Sequence, residues 1–369
     1  MSKTTSILYE QLIPQTDLVP LEPLPADPWI ASSALQKAIR RGETEVADRA
    51  ILSLVRHRRS GVFRRLLVIA FEDIGIGAPD LLVAMTALCT QPSLRRSYGD
   101  TALVARWITR ALTEAPKDRS ADYLICSAIH RAEWEVCREA AGRQDVAARI
   151  ETAIAADLPI AMRATATWFA SGVENGGEHR IGAGDLRGLV DGLVGSGMSA
   201  AMGDAVIAAA KATKEPIVLM MLPLLQEVGR SKSASVVKPV AVPPTRFVAG
   251  VPTYALDKHT RAGRTAIATF ARENAAVRRV LERHVPEFRH RDAARVAAYY
   301  ADAAPVARRL VWDQADNLEA LGLDTDMQWA GVPSIGIKEL MAAILESIDH
   351  LNGVRERELH AVLLAGGRA

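Results

Sequence analysis

The sequence predicts an all-α protein, with a multi-helix N-terminal region followed by further helical modules. Apolar residues recur at three- and four-residue spacing through long segments rich in alanine and leucine, which is the pattern of helices that bury one face. Strand signals are few, and the β-branched run from Val236 to Val242 is broken by Pro239. At 369 residues and 49% hydrophobic composition, the chain can bury a large core and is long enough for roughly two or three domains.

The first elements follow from prolines, glycines and apolar spacing. Residues 1–28 are predicted to be an extended arm, because repeated prolines disfavour a regular helix. From Trp29 a helical hairpin follows, which turns next to Gly42. The apolar residues that line one side of this hairpin are Leu35, Ile39, Val46, Ala50 and Leu54. Residues 62–71 form the next predicted helix, which Gly75 ends.

Helices are predicted to continue through the rest of the region 29–229. They cover 80–88, 101–112, 120–138, 146–156, 160–170, 185–194, 198–211 and 217–228. Residues 230–250, with their serines, prolines and scattered basic side chains, are expected to form a linker or exposed loop. Residues 251–369 are predicted to form a C-terminal helical module.

Net charge, cysteine spacing and apolar runs limit which partners, ligands and cell compartments the sequence predicts. The formal net charge of +2 gives no overall attraction to nucleic acid or anionic lipid, so any nucleic-acid site must be a local patch. Cys89, Cys126 and Cys137 lack the spacing of a disulfide framework or zinc site, and we expect free thiols in apolar surroundings. The start has no signal-peptide pattern, and no apolar run approaches the length of a bilayer span. We therefore expect a cytoplasmic protein without membrane partner, metal or cofactor.

A basic cluster surrounds Gly61. Its members are Arg56, His57, Arg58, Arg59, Arg64 and Arg65. Five of them are permanent guanidinium charges that can contact phosphate, and such clusters supply sequence-independent affinity for nucleic acid. Two interpretations stay open at this stage. Either the arginines contact phosphate, or they form a solvated loop and pair with the acids Glu43, Glu45 and Asp48.

Glu72 and Asp73 follow an apolar helix and precede Gly75. Adjacent residues point about 100° apart on a regular helix, so this pair does not form a two-carboxylate acid/base site there. We expect a structural role instead. A carboxylate at this place caps a neighbouring helix or holds an arginine, and Gly75 ends the helix.

The most enzyme-like group of residues lies in the C-terminal module. It consists of Asp257, Lys258, His259, Thr260, Arg261 and Arg264. Asp257 or Thr260 can cap a helix that begins at Arg261, and a helix N-terminus flanked by His259, Arg261 and Arg264 suits an anion. The sequence shows no serine or cysteine nucleophile arranged with His259 as its base, so no catalytic residue is assigned. The alternative is a capped helix start with a surface salt-bridge cluster.

Other histidines and aromatic residues are given structural interpretations. Two pairs of side chains could in principle bind a metal, His284 with His290 and His130 with Cys137. Neither spacing matches a metal motif, so no metal site is predicted. The aromatic residues at helical positions with apolar neighbours are Tyr299, Tyr300, Trp312 and Trp329. We expect these rings to anchor the core rather than to stack on bases.

The segment from Ser33 to Pro79 carries an ordered set of motif residues. They are Ser33, Ala34, Leu35, Lys37, Arg64, Arg65, Leu66, Ile69, Ala70, Glu72, Asp73, Ile74, Gly75, Ala78 and Pro79. Their arrangement resembles the helical collar that follows the ATPase core in clamp-loader-clade AAA+ proteins, especially replication-associated recombination protein A and its relatives. In that family an SALHKS-type helix precedes a basic turn and an RRLxxIAxEDIGxAxP signature. A weaker likeness, the run AxxxAPKDRSADY, extends from Ala111 to Tyr123.

The resemblance implies a collar-type helical fold that self-associates, usually as a tetramer, in ATPases that act at stalled replication forks and in recombination. The chain has no GxxxxGK[ST] loop to hold nucleotide phosphates, and the glycines from Gly182 to Gly188 lack the dinucleotide-binding spacing. We therefore expect a noncatalytic oligomerising or adaptor protein of DNA replication, recombination or repair, with DNA, an AAA+ ATPase or another repair protein as partner. The alternatives are an enzyme acting on a phosphorylated or anionic small molecule through the Asp257 to Arg264 cluster, and a scaffold that shares only the collar fold.

Overall fold

A computed structural model describes residues 18–174, 179–231 and 233–366. Helices dominate this part of the chain, and its strands are two to four residues long, so the all-α prediction is confirmed. Residues 18–27 precede the first helix without forming one, as predicted for the proline-rich arm. Residues 1–17 of that arm lie outside the described residues.

The helices pack around one continuous apolar core. In the first half they are α1 (Pro28–Arg41), α2 (Thr44–Arg58), α3 (Val62–Ile69), α4 (Pro79–Thr90), α5 (Pro92–Tyr98), α6 (Thr101–Glu114), α7 (Ser120–His130), α8 (Glu135–Arg143), α9 (Val146–Ile154) and α10 (Ile160–Ser171). In the second half they are α11 (Leu186–Gly195), α12 (Ala200–Thr213), α13 (Met221–Arg230), α14 (Arg261–Glu273), α15 (Ala275–His284), α16 (His290–Ala298), α17 (Ala315–Trp329), α18 (Ser334–Glu346) and α19 (Ile348–Gly366). The strands are β1 (Val236–Pro239), β2 (Phe247–Val248), β3 (Val251–Pro252) and β4 (Arg308–Val311).

Local sequence sets both ends of α1. The Asp27 carboxylate accepts hydrogen bonds from the backbone amides of Trp29 (2.7 Å) and Ile30 (3.0 Å), and Pro28 occupies the first turn. Gly42 ends the helix with φ 74°, a left-handed conformation that glycine adopts without steric cost. The chain then reverses into α2, which packs along α1 as the predicted hairpin.

The backbone changes its hydrogen-bond pattern after α3. Ala70–Ile74 form a π-helical turn, and a 3-10 turn follows from Gly75 to Gly77. A Cβ on Gly75 would lie 2.9 Å from the carbonyl oxygen of Asp118, so only glycine fits where the helix ends. The wider turn brings Glu72 and Asp73 to one side chain, Arg40, which both carboxylates contact. The assumption of a regular helix at these two residues was therefore wrong.

The predicted helix over 120–138 is two helices. Arg131 leaves the helical conformation, with φ −69° and ψ 124°, and ends α7. The guanidinium of Arg138 donates to the carbonyl oxygens of Ala128 (3.0 Å) and Arg131 (2.9 Å). These bonds satisfy carbonyls that the helix end leaves open, and a long-range side chain therefore stabilises a break that periodicity does not show.

Most of the described residues in the segment 230–250 are exposed, although Val248 is buried, and the segment is not a free linker. Its residues Val236–Pro239 pair antiparallel with Arg308–Val311, and Pro239 stands at the end of the ladder, where the missing amide is tolerated. Arg41 donates to the carbonyl oxygen of Pro243 over 2.7 Å. The segment is thus held against both parts of the chain that it joins.

A buried carboxylate, Asp73, lies at the centre of the N-terminal helices. It accepts hydrogen bonds from Arg40 Nε (2.6 Å), Arg119 Nε (3.1 Å) and Gln36 Nε2 (2.8 Å). Burial alone would raise the pKa of Asp73, but the two guanidinium charges hold that pKa below its usual range. Asp73 is therefore ionised at neutral pH and ties α1 to α3 and to the turn before α7.

Buried ion pairs also connect the two ends of the chain. Arg41 and Arg355 both contact the carboxylate of Asp302, with 2.7 Å between Arg41 and the oxygen it binds. Arg40 donates to the carbonyl oxygen of Ala303 over 2.8 Å, and Arg119 donates to the hydroxyl of Tyr299 over 2.7 Å. Helix α1 and the Arg119 turn are therefore packed directly against the π-helical turn Tyr299–Ala303 that follows α16.

Matched amide substitutions at two adjacent residues test this interpretation. Asp73→Asn removes the charge that two buried guanidinium groups share, so we expect a loss of about 3 to 5 kcal/mol in the free energy of unfolding. Glu72→Gln should lower it much less, because burial and the nearby carboxylates Asp73 and Asp122 raise the pKa of Glu72 and already disfavour its charge. Urea unfolding at pH 7 measures both. Equal losses in the two variants would contradict a central role for Asp73.

Candidate anion-binding cleft

Trp29 stands at the mouth of a cleft on the protein surface. Its side chain is 70% exposed although it belongs to the first turn of α1. The guanidinium carbon of Arg58 lies 5.3 Å from the centre of the indole ring, within the range of a cation–π contact. Two cavities meet at this residue, and they share Trp29, His259 and Thr260 as lining.

The inner pocket has a volume of about 370 Å³. Besides the three shared residues, it is lined by Ser32, Ser33, Gln36, Lys37, Arg58, Arg65 and Glu72. The α1 residues among these are buried, so this helix contributes much of the pocket lining. The volume falls within the range of small-ligand sites, and nearly every lining side chain is polar.

The outer groove is larger, with a volume of about 780 Å³. Besides the three shared residues, it is lined by Asp27, Ile30, Arg261, Ala262, Arg264, Thr265, Glu358 and Val362. Two cations and two carboxylates therefore face it, and Asp27 is already used as the cap of α1. The groove is roughly balanced in charge, in contrast to the inner pocket, where three cations face one carboxylate.

The start of α14 is shaped by two local features. Thr260 Oγ1 accepts a hydrogen bond from the amide of Gly263 over 3.0 Å, so Thr260 is the cap that the sequence suggested. A Cβ on Gly263 would lie 2.1 Å from the carbonyl oxygen of Asp257, so this close approach of two backbones requires glycine. The approach places Arg261 and Arg264 along the outer groove.

A buried ion pair joins the inner pocket to the turn before α14. The ammonium group of Lys37 contacts the carboxylate of Asp257 and donates to Ser33 Oγ over 3.0 Å. Burial lowers the pKa of Lys37 to about 8, and the charge of Asp257 limits this fall. Asp257 is itself buried, yet Lys37 holds its pKa below the usual range. Neither group is therefore free to act as an acid or base.

His259 and Glu72 are the titratable groups at the edge of the inner pocket. His259 keeps an exposed edge, while the protein around the rest of its ring and the cations Lys37 and Lys258 lower its pKa below the usual range. The imidazole is therefore neutral at pH 7. Glu72 has the opposite shift, and its Oε1 lies 2.7 Å from Arg40.

The basic cluster predicted around Gly61 does not form one patch. Arg58 and Arg65 line the inner pocket. Arg64 points elsewhere and donates to the carbonyl oxygen of Thr213 at the end of α12. Arg56 lies 3.9 Å from Glu22, and Arg59 is exposed with φ 48° at the end of α2.

Two of the three acids named as alternative partners of this cluster, Asp48 and Glu43, are engaged by other residues. Asp48 is buried and pairs with Arg106 (3.0 Å) and Arg110 (2.7 Å). Glu43 accepts a hydrogen bond from the hydroxyl of Tyr254. The salt-bridge interpretation of the cluster was therefore wrong about these two partners.

The structure brings together residues that the sequence placed in separate clusters. Arg58 and Arg65 line the inner pocket, Arg261 and Arg264 line the outer groove, and Trp29 and His259 line both. Sequence reasoning missed the residues contributed by α1. They are Trp29, Ser32, Ser33, Gln36 and Lys37. Their spacing of three and four residues places them on one helical face, and this was the available signal.

The remaining predictions concern aromatic residues, metal sites, membrane spans and cysteines. Tyr299, Tyr300 and Trp312 are buried as expected, but Trp329, the last residue of α17, is 55% exposed. Its ring lies against His130 at a tilt, with 4.7 Å between the ring centres. Among residues 18–174, 179–231 and 233–366, no group of three metal-ligating side chains is close enough to hold a metal ion. Within the same ranges, no helix combines the length and apolar character needed to cross a bilayer. Cys89, Cys126 and Cys137 are free thiols, and only Cys89 is fully buried.

Removing one partner of the Lys37 and Asp257 pair should destabilise the fold. Asp257→Asn leaves a buried ammonium group without its counter-charge, so we expect a loss of about 3 to 5 kcal/mol in the free energy of unfolding. Replacing both partners, with Lys37→Met and Asp257→Leu together, should recover most of that loss. Urea unfolding tests the pair of variants. A double variant as unstable as the single one would contradict the ion-pair explanation.

The stability that depends on Lys37 and Asp257 should also change with pH. Lys37 has a lower pKa in the folded state, about 8, than in an unfolded chain, so the unfolded state binds more protons above pH 8. The contribution of Lys37 to stability therefore rises with pH up to its unfolded pKa, by at most about 1.4 kcal/mol per pH unit. Relative to the double variant, the wild-type protein should gain stability between pH 8 and about pH 10.

Comparisons with protein-family models, with curated proteins and with solved structures find no match to this chain. The collar resemblance therefore rests on the motif residues between Ser33 and Pro79 and on the weaker likeness from Ala111 to Tyr123. The arguments about the cleft rest on its own geometry and charge.

Proposed function

We propose that the protein is a noncatalytic adaptor of DNA metabolism that binds single-stranded DNA in the cleft at Trp29. The observation that carries this proposal is the exposed indole ring with Arg58 beside it at 5.3 Å. Proteins that bind single strands without sequence preference combine aromatic rings, on which bases stack, with cationic side chains that contact the phosphates. Trp29 is well placed for the first task and its arginine neighbours for the second.

The arrangement of charge supports a strand lying across the mouth of the cleft. Arg58 and Arg65 line the inner pocket, Arg261 and Arg264 line the outer groove, and Trp29 lines both. We propose that these cations contact the phosphates next to a base stacked on Trp29. Because the net charge of the chain is only +2, this affinity is local and should fall steeply with salt.

The adaptor role and self-association rest on the collar resemblance. The sequence has no phosphate-binding loop of the GxxxxGK[ST] type, and the motif acid Asp73 is engaged in holding buried arginines. We propose a homo-oligomer, a tetramer by analogy with the family, which acts together with an AAA+ ATPase or another replication or repair protein. Light scattering over a wide concentration range tests the oligomer, and a monomer throughout would contradict it.

Two pairs of matched variants test DNA binding. Trp29→Ala should weaken binding of an oligothymidylate by about 1 to 3 kcal/mol, because one base loses its stacking partner. Trp329→Ala, at an exposed tryptophan outside the cleft, should leave binding unchanged. Likewise Arg58→Ala should reduce the log-log salt dependence by up to about one unit, whereas Arg64→Ala should not. Fluorescence anisotropy at several salt concentrations measures all four, with duplex and forked DNA for comparison.

The outcome that contradicts the proposal is specific. If each cleft variant binds as tightly as its control, the cleft is not the DNA site. Thermal unfolding of the same preparations separates loss of binding from loss of folding, since exposed substitutions usually change stability by less than about 0.5 kcal/mol.

A second candidate function is an enzyme that acts on a phosphorylated or anionic small molecule. The observation that favours it is the inner pocket itself, where Glu72, with a raised pKa, and a neutral His259 line the same cavity. Glu72 is suited to donating a proton, because its raised pKa favours the protonated form, whereas the lowered pKa of His259 makes it a weak base. Release of phosphate or another product by purified protein, lost on Glu72→Gln in a folded variant, would favour the enzyme over the adaptor.

A further inference from the structure

We infer that the inner pocket is a binding site for a phosphate monoester, the doubly charged group found at the end of a nucleic-acid strand or on a free mononucleotide. The inference rests on the proposed function, since it assigns one part of the same cleft to a chemically distinct group. It goes further by naming the group and by separating it from the phosphodiesters of a continuous strand.

The first argument is the charge that the pocket leaves unmatched. Lys37 is paired with Asp257, and Arg40, which contacts Glu72, is paired with the ionised Asp73, so neither of these cations is left unmatched. Arg58 and Arg65 remain, and among the described residues neither has a carboxylate within ion-pair distance. Two unmatched guanidinium charges correspond to the charge of about −1.5 to −2 that a phosphate monoester carries at pH 7. A diester carries a single charge.

The inner pocket also supplies hydrogen-bond donors. Arg65 bonds the side-chain oxygen of Gln36, but its Nε is buried and has no hydrogen-bond partner among the described residues. Ser32 adds a hydroxyl group to the lining, whereas the Thr260 hydroxyl already donates to the carbonyl oxygen of Asp257. A monoester has three terminal oxygens that accept such bonds, whereas an internal diester presents two.

The size of the pocket also fits a terminal group. The buried residues of α1, among them Gln36 and Lys37, line the pocket, and Trp29 lines both the pocket and the outer groove. A volume of about 370 Å³ accommodates one terminal unit rather than a length of strand. A phosphate bound between Arg58 and Arg65 leaves the attached nucleoside next to the exposed indole ring.

The test compares strand ends. Full-length protein is titrated with four ligands of one sequence: an oligothymidylate with a 5′-phosphate, one with a 3′-phosphate, one with hydroxyl groups at both ends, and a closed circle. Thymidine 5′-monophosphate and inorganic phosphate serve as competitors. We expect at least one phosphorylated end to bind about tenfold more tightly than the hydroxyl-ended strand, because charge-assisted hydrogen bonds are added. The preference should weaken below about pH 6, where the monoester takes up a proton.

Variants assign the preference to the pocket. Arg65→Gln should abolish it, whereas Arg64→Gln, next to it on α3 but directed at Thr213, should preserve it. Arg58→Gln provides a second variant at the exposed edge, in case Arg65→Gln does not fold. Persistence of the preference in a folded Arg58→Gln or Arg65→Gln protein would overturn the assignment.

The outcomes also separate this inference from the proposed function. Equal binding of all four strands overturns the monoester pocket and leaves DNA binding in place. Binding of the mononucleotide alone supports the pocket, identifies the free source and overturns DNA binding. If no strand and neither competitor binds, both are overturned.

Discussion

The fold depends on one buried carboxylate whose charge is neutralised and hydrogen-bonded by several side chains. Asp73 lies out of contact with water and is held by Arg40, Arg119 and Gln36. An isolated charge in such a place would be strongly unfavourable, and the two guanidinium groups would be equally unfavourable without it. Each partner therefore has to be present and correctly placed. This requirement fixes α1, the turn after α3 and the Arg119 turn relative to one another.

The same requirement positions the cleft. The side chains of Gln36 and Arg40 reach inward from α1 to Asp73, and this sets the rotation of the helix about its axis. Once that rotation is set, Trp29 is left at the surface, and Ser33 and Lys37 line the inner pocket. Lys37 then meets Asp257, so the turn that carries His259 and begins α14 is held against α1. Helix α1 therefore contributes side chains both to the buried network around Asp73 and to the proposed binding surface.

Local pattern predicted much of this structure, and contacts between distant residues account for the rest. Helical periodicity gave the all-α class and the α1–α2 hairpin, because these depend on neighbours a few residues apart. It missed the break at Arg131, which the Arg138 side chain stabilises, and the strand at Val236–Pro239, whose partner is Arg308–Val311. The two charged clusters were identified separately. Nothing in either one indicates that α1 brings them together at Trp29, because that depends on the pairing of Lys37 with Asp257.

The collar-like motif and the cleft also carry different kinds of information. Asp73 and Gly75, which carry much of the resemblance, hold arginines and end a helix, and they are needed for the fold whatever the protein binds. Arg64 and Arg65 are neighbours in the same motif, but one faces α12 and the other faces the inner pocket. Function is therefore better argued from the unmatched charges of Arg58 and Arg65 beside Trp29 than from the motif. Arg65 also bonds Gln36, but neither charge has a carboxylate partner like that of Arg40 or Arg119, and a bound anion would neutralise them.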